Sequence, residues 1–264
     1  MGSRHSIHST GRMRRSKLGR RVVCCAVVAV LATSVLATAN DAPAALSAED
    51  VLDRVRVAWQ GESFHAVVRL EITFAGATKR HALEVWTLGD EYALLRVLEP
   101  TDDAGSGYLQ IGDDLWYYAP AAGTAIQLPS MLLGDALFGA GPSLADLALD
   151  TLSDDFDVTA DAVEGGTRLT LVPHPDAPVV YGKLELTVTD DYTIAQLVTY
   201  DQRGGVVRTA TFSDVVEQGG RRLPTRIVVD DASGDRTVQE IVDPEFDLDL
   251  DASFFTIERL ESGR

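Results

Sequence analysis

The sequence predicts a mainly β protein: an antiparallel meander of about a dozen strands, curled into a barrel or half-barrel, with a helix before it and two short helices inserted within it. Three observations carry that expectation. Apolar and polar residues alternate with period two from Phe64 nearly to the C-terminus. Glycine and aspartate punctuate the alternation at Gly76, Gly89-Asp90, Gly112-Asp113-Asp114, Gly165-Gly166, Asp190-Asp191, Gly204-Gly205, Gly219-Gly220 and from Asp231 to Gly234, where tight turns need positive φ or side-chain bonds to the backbone. One stretch, 129–152, breaks the alternation with a run of large apolar residues.

Residues 1–39 read as a secretory signal peptide. Seven Lys and Arg precede an apolar run over 22–37, and Ala37-Thr38-Ala39 follows as a small-residue cleavage signal. The run is shorter than the ~20 apolar residues of a spanning helix. Arg14-Arg15 leaves both the general and the twin-arginine export routes open. Cys24 and Cys25 lie inside this segment and not in a lipidation motif at its end, so the mature chain has no cysteine and needs no disulfide or thiolate chemistry. Residues 40–46 form a small-residue, flexible leader, and 47–264 form one domain.

Ser47-Ala48-Glu49-Asp50 reads as a capped helix start. Val51, Leu52, Val55, Ala58 and Trp59 follow at helical spacing, and Gly61 ends a helix of about 14 residues. Strand alternation then begins: Val68, Leu70 and Ile72 oppose Val67, Arg69, Glu71 and Thr73, and later Leu184, Leu186 and Val188 oppose Lys183, Glu185 and Thr187. Within 129–152, Ser130 suits the cap of one short helix and Pro142 the first turn of a second.

Charge and composition exclude several functions. Without its seven N-terminal basic residues the chain keeps 16 Lys and Arg against 40 Asp and Glu, a formal charge of −24. Such a field repels phosphate backbones and anionic bilayers, so neither nucleic acid nor a membrane surface is an expected partner. His65, His81 and His174 lack metal-ligand spacing, and Asp247, Asp249 and Asp251 lack the glycine and closing glutamate of a Ca²⁺ loop. Ser106, in Ala104-Gly105-Ser106-Gly107, is no nucleophile elbow, and no phosphate-binding glycine motif occurs. No metal, cofactor or enzymatic activity is expected.

What stands out is apolar. The stretch LQIGDDLWYYAPAAGTAIQLPSMLLGDALFG, 109–139, joins aromatic strands to the helical insert. With the residues before it, it resembles the outer-membrane lipoprotein-sorting protein family, the LolA-like group. The family's proline, glycine strand, Asp-x-Trp-x-Tyr-x-Pro strand and Ser-Met-x-Gly-Asp-x-Phe-Gly helix fall on Pro100, Gly107, Asp114, Trp116, Tyr118, Pro120, Ser130, Met131, Gly134, Asp135, Phe138 and Gly139. Its Gly-x-x-Leu-Pro-Thr strand falls on Gly220, Leu223, Pro224 and Thr225, and its closing Phe-Thr on Phe255-Thr256. The chain departs from the pattern at Ala140 to Leu147, where the family has an aromatic-rich stretch.

The resemblance implies an unclosed β-barrel of about eleven strands, with helices over its apolar concavity. It implies a monomeric periplasmic carrier of lipid or lipoprotein acyl chains, working between an inner-membrane transporter and an outer-membrane acceptor. A sensing module of the RseB-like kind, restraining a membrane signalling protein, or an accessory to a membrane transporter, would use the same fold. The expected lining and lid residues are Trp116, Tyr118, Ile126, Leu128, Met131, Leu132, Leu137 and Phe138. Inverted strand parity would put Leu115 and Tyr117 inside instead. In the dedicated carrier a buried arginine latches the lid, a role open here to Arg69 or Arg96.

Overall fold

The computed structural model describes residues 46–89, 91–129, 156–175, 177, 179 and 181–262. The expected signal peptide, nearly all of the leader and the two inserted helices lie outside the described residues.

Helix α1 spans Ala48–Gln60, as the spacing predicts. The Ser47 hydroxyl accepts the Asp50 N–H at 3.0 Å, the Asp50 carboxylate accepts the Ser47 N–H at 3.1 Å, and Gly61 leaves the helix at φ +66°. Two orphaned donors are thereby satisfied reciprocally.

Thirteen strands follow: β1 (Ser63–Phe74), β2 (Ala77–Leu88), β3 (Tyr92–Glu99), β4 (Gly107–Ile111), β5 (Asp114–Tyr118), β6 (Ile126–Leu128), β7 (Phe156–Val163), β8 (Gly166–Pro173), β9 (Lys183–Thr189), β10 (Ile194–Tyr200), β11 (Val206–Gln218), β12 (Arg221–Asp231) and β13 (Arg236–Phe246). A 3₁₀ turn (Ala252–Phe254) and a short helix α2 (Ile257–Ser262) follow. The expected count of about eleven is exceeded; β6, at three residues, is too short to register as an alternating run.

The strands form one antiparallel sheet in the order β6-β5-β4-β3-β2-β1-β13-β12-β11-β10-β9-β8-β7. The first and last strands pair at its centre, while β6 and β7, successive in the chain, form its two edges. The sheet is therefore not closed, and the chain between 128 and 156 joins opposite edges. Hairpin chemistry sets the registers. Ala75 and Gly76, both at positive φ (50° and 80°), turn β1 into β2 so that Phe74 faces Ala77, the twist-matched two-residue connection.

Directly paired residues share a face, so the ladders sort every strand. One face runs through Tyr117, Tyr108, Leu95, Val85 and Ala66 on one side of the sheet centre. It continues through Leu70, Gln239, Ile227 and Phe212, and through Ala210, Leu197, Leu186 and Leu169. Val51, Leu52 and Val55 of α1 pack on this face against Leu169, Leu171, Leu184, Leu186 and Ile194. Trp59 packs against the centre, with Ala66, Leu223, Ile227 and Ile241. The opposite face carries Leu94, Leu109, Trp86, Trp116 and Tyr118, covered by Phe255 and Leu260 from the C-terminal segment.

Candidate functional site

The α1 face over β1 to β5 is the candidate site. Val68, Leu70 and Ile72 of β1 join Leu83 and Val85 of β2, Leu95 and Val97 of β3 and Leu115 of β5 in one cluster, each at most 7% exposed. Burying one such side chain is worth roughly 1.5–3 kcal/mol, so a continuous face of eight is a strong drive to exclude water. The other residues of this cluster, Ala93, Tyr108 and Leu128, also come from strands. No described helix contributes to it, whereas α1 serves the other half of the sheet.

Polar groups border this apolar floor. Tyr108 and Tyr117 pair across β4 and β5 with ring centroids 5.0 Å apart. Burial, and then the neighbouring Tyr117, push the Tyr108 phenol above its ordinary pKa. At the other end lie buried His81, Thr237 and Gln239. Burial holds the His81 imidazole below its ordinary pKa; Lys79 adds to this and Asp103 opposes it.

The structure divides the residues expected from sequence. Leu128 packs on the cluster, and Ile126, exposed, pairs with Tyr117 on the same face. Trp116 and Tyr118 do not lie there. They point the other way, into the cluster with Leu94, Leu109, Phe255 and Leu260, and it is Leu115 and Tyr117 that face the α1 side. Of the two parities left open, the inverted one turns toward α1: β5 packs into an apolar cluster on each face, so both sets of its residues are apolar and alternation gives no sign of direction. Met131, Leu132, Leu137 and Phe138 lie outside the described residues. The latch candidates also face away from α1. Arg69 is exposed on β1, and Arg96 donates to the Arg259 carbonyl at 3.1 Å with its guanidinium 5.5 Å from the Trp86 ring centroid. Sequence reading missed the contributions of β2 and β3 and the buried Thr237 and Gln239, although Leu83, Val85, Leu95 and Val97 show the alternation that marks them.

Other features of the described residues do not add a reaction centre. A cavity of about 780 Å³ on the opposite face, where β12 and β13 separate beyond the Arg226 to Glu240 pairing, is lined by His65, Asp214, Arg226, Glu240, Asp243 and Glu245. A second, about 510 Å³, lies beside α1 among Arg54, Asp191, Tyr192, Arg221 and Arg222. Asp247 and Asp251 lie after β13; one binds Arg221 and the other caps the 3₁₀ turn. Among the described residues no group of three or more His, Cys, Asp or Glu is placed to hold a metal ion, and no helix is long and apolar enough to cross a membrane.

An open antiparallel sheet with an apolar face against which a helix packs defines a class of protein that solved structures share. The chain superposes on a LolA superfamily protein of Nitrosomonas europaea with TM-score 0.66, 23% identity, and coverage of 80% of this chain and 98% of that one. For a DUF1329 family protein of Desulfovibrio piger the values are 0.69, 19%, 81% and 97%. For a domain described as that of an outer membrane lipoprotein-sorting protein, from Vibrio parahaemolyticus, they are 0.68, 16%, 81% and 98%. At these identities the likeness is one of fold, and the fold is LolA-like. The chain belongs to a protein family whose model, described as "uncharacterized protein", matches residues 89–262. No curated protein matches the sequence.

Proposed function

We propose that this protein is a non-enzymatic periplasmic carrier that shields acyl chains of lipids or lipoproteins on the α1 face of its sheet. The observation that carries the reading is the buried cluster from Val68 to Leu115, an apolar floor to which no described helix contributes. The LolA-like fold and the signal peptide expected at 1–39 support it. Leu115, Tyr117, Ile126 and Leu128 are its lining on β5 and β6. Met131, Leu132, Leu137 and Phe138 remain lid candidates on sequence alone.

Hiding a 16-carbon chain from water is worth on the order of 10 kcal/mol, at ~0.8 kcal/mol per CH₂. A carrier must match most of that and still release its load to an acceptor. Side chains that fill the site when it is empty make this possible, because loading then exchanges one set of apolar contacts for another. The acidic surface keeps the loaded carrier off anionic bilayers between donor and acceptor, an inner-membrane transporter and an outer-membrane receptor in this proposal.

Native mass spectrometry of the mature protein, purified from periplasm without detergent, tests the reading. Bound mass in the lipid range is expected. A protein that carries none, and takes up none from added acyl lipid, would overturn it.

A further inference from the structure

Two polar side chains on the α1 face are largely buried among apolar neighbours. Gln239 is 5% exposed and Thr237 7%, two residues apart on β13. Gln239 lies between Ile227 and Leu70, and Thr237 between Val229 and Ile72, so apolar neighbours flank both. Among the described residues neither the carboxamide nor the hydroxyl makes a side-chain hydrogen bond. The fully enclosed side-chain atoms that lack one lie elsewhere, on Thr193 and Arg221 among others, so the polar atoms of Gln239 and Thr237 keep a path to solvent or to a ligand. Apolar residues of similar volume would fit the same places at lower cost. His81 faces Leu70 from β2, so three buried polar side chains stand across β13 and β2 at one end of the apolar floor.

We propose that Gln239 and Thr237 form a polar subsite for the uncharged linkage region of an acyl lipid, an ester carbonyl with a neighbouring hydroxyl, while the acyl chain lies along the floor from Val68 to Leu115. This rests on the carrier reading and names the chemistry of its ligand. The carboxamide offers donors and an acceptor, and the hydroxyl offers both, so the pair complements a group that both accepts and donates. Residues two apart on a strand lie about 7 Å apart, a span that an acylglycerol bridges with its ester carbonyl and a hydroxyl. A charged headgroup fits poorly: among the described residues no cation is buried beside the pair, Lys79 is exposed, and a desolvated phosphate would go uncompensated. Gln239 sits where the α1-covered half of the face meets the rest, so the head of the ligand would rest at that boundary.

The test compares two probes on the mature protein and on the double variant Gln239→Leu with Thr237→Val. Displacement of an environment-sensitive dye is followed for 1-lauroylglycerol and for dodecane, which share a chain length and differ in the linkage. Wild type is expected to prefer the glyceride. The variant should bind it roughly tenfold more weakly, the loss of two net hydrogen bonds, and hold dodecane as well or better. Its urea midpoint should be unchanged or raised, because the groups removed are unpaired in the free protein. If the variant treats both probes as wild type does, the subsite is overturned while carriage stands. If the variant unfolds at lower urea, the two groups are already satisfied within the fold, and the subsite is again overturned. If wild type binds neither probe, the carrier reading falls and the subsite with it.

Discussion

Arg221, at the start of β12, grips Asp247, just past the end of β13, through one guanidinium nitrogen 2.9 and 3.1 Å from the two carboxylate oxygens. The same arginine donates its other terminal nitrogen to the Val57 carbonyl in the last turn of α1, and the carboxylate also accepts the Glu62 N–H at 3.1 Å. A side chain on Gly61 would come within 3.0 Å of that carboxylate. Helix, linker and two strand ends therefore meet at one joint, which seats α1 on its face of the sheet. Arg221→Ala should lower the melting temperature by at least roughly 2–4 °C, the shift expected for about 1 kcal/mol in a domain of this size. Thermal unfolding followed by circular dichroism reads this directly; no change would mean that apolar packing alone seats the helix.

The joint also makes a pH prediction. Arg221, and then the Glu62 N–H, hold the Asp247 carboxyl below its ordinary pKa. A depressed carboxylate contributes stability that is fully present above its unfolded value near 4 and is lost as pH falls through the lower folded value. Asp191, held down first by the Thr189 hydroxyl, and Glu185, held down first by Lys183, act in the same direction. Asp247→Asn should thus be less stable than wild type at pH 7, and the gap should narrow as pH falls below about 4. Urea midpoints across pH 7 to 3 check this. High salt should be present throughout, because neutralising the acidic excess acts in the opposite sense and is screened.

His81 predicts a separate transition at higher pH. Its depressed folded pKa means that the unfolded chain binds the proton first as pH falls below about 6.5, so stability is lost in that window and not regained on further acidification. His81→Leu should remove that loss and leave a flatter profile between pH 7.5 and 5.5. An unaltered slope would mean that the buried His81 imidazole does not carry the loss.

Gly107 sits where β4 passes β3, and a Cβ there would stand 2.4 Å from the Leu95 carbonyl oxygen and 3.0 Å from a Leu260 methyl. The backbone oxygen cannot yield without moving the ladder, so Gly107→Ala should cost on the order of 2 kcal/mol or more. Loosening should begin at α2, and hydrogen exchange at Leu260 would show it first. Uniform loss of protection across β3 and β4 instead would place the strain in the sheet.

Much of this fold was legible from residues that answer to one constraint. Ser47, Asp50 and Gly61 bound α1 because capping is local chemistry, and Val68, Leu70 and Ile72 declare a face because β1 alternates apolar with polar. The glycine and aspartate pairs mark the hairpins for the same reason. β5 could not be oriented in this way. Its two faces meet two different apolar clusters, one around Leu95 and Val97 and one built by Phe255 and Leu260 from the far end of the chain, and no local pattern announces the second. Gln239 and Thr237 were hidden for the opposite reason: in a strand reading RTVQEIV they pass for the solvent side, and only the pairing to Leu70 and Ile72 turns them inward.

Tyr117 and Tyr118 offer a test of which face binds. They are adjacent, chemically identical and both half-buried, yet one pairs with Tyr108 on the α1 face while the other lies in the cluster with Phe255 and Leu260. Tyr117→Ser removes an aromatic wall from the proposed acyl site and should reduce lipid occupancy several-fold, with little effect on the C-terminal segment. Tyr118→Ser should leave occupancy unchanged and lower the melting temperature, since it removes packing beneath Phe255. Occupancy by native mass spectrometry and unfolding by calorimetry separate the two effects in the same pair of samples. Loss of lipid in Tyr118→Ser alone would reverse the assignment and move the site to the face under α2.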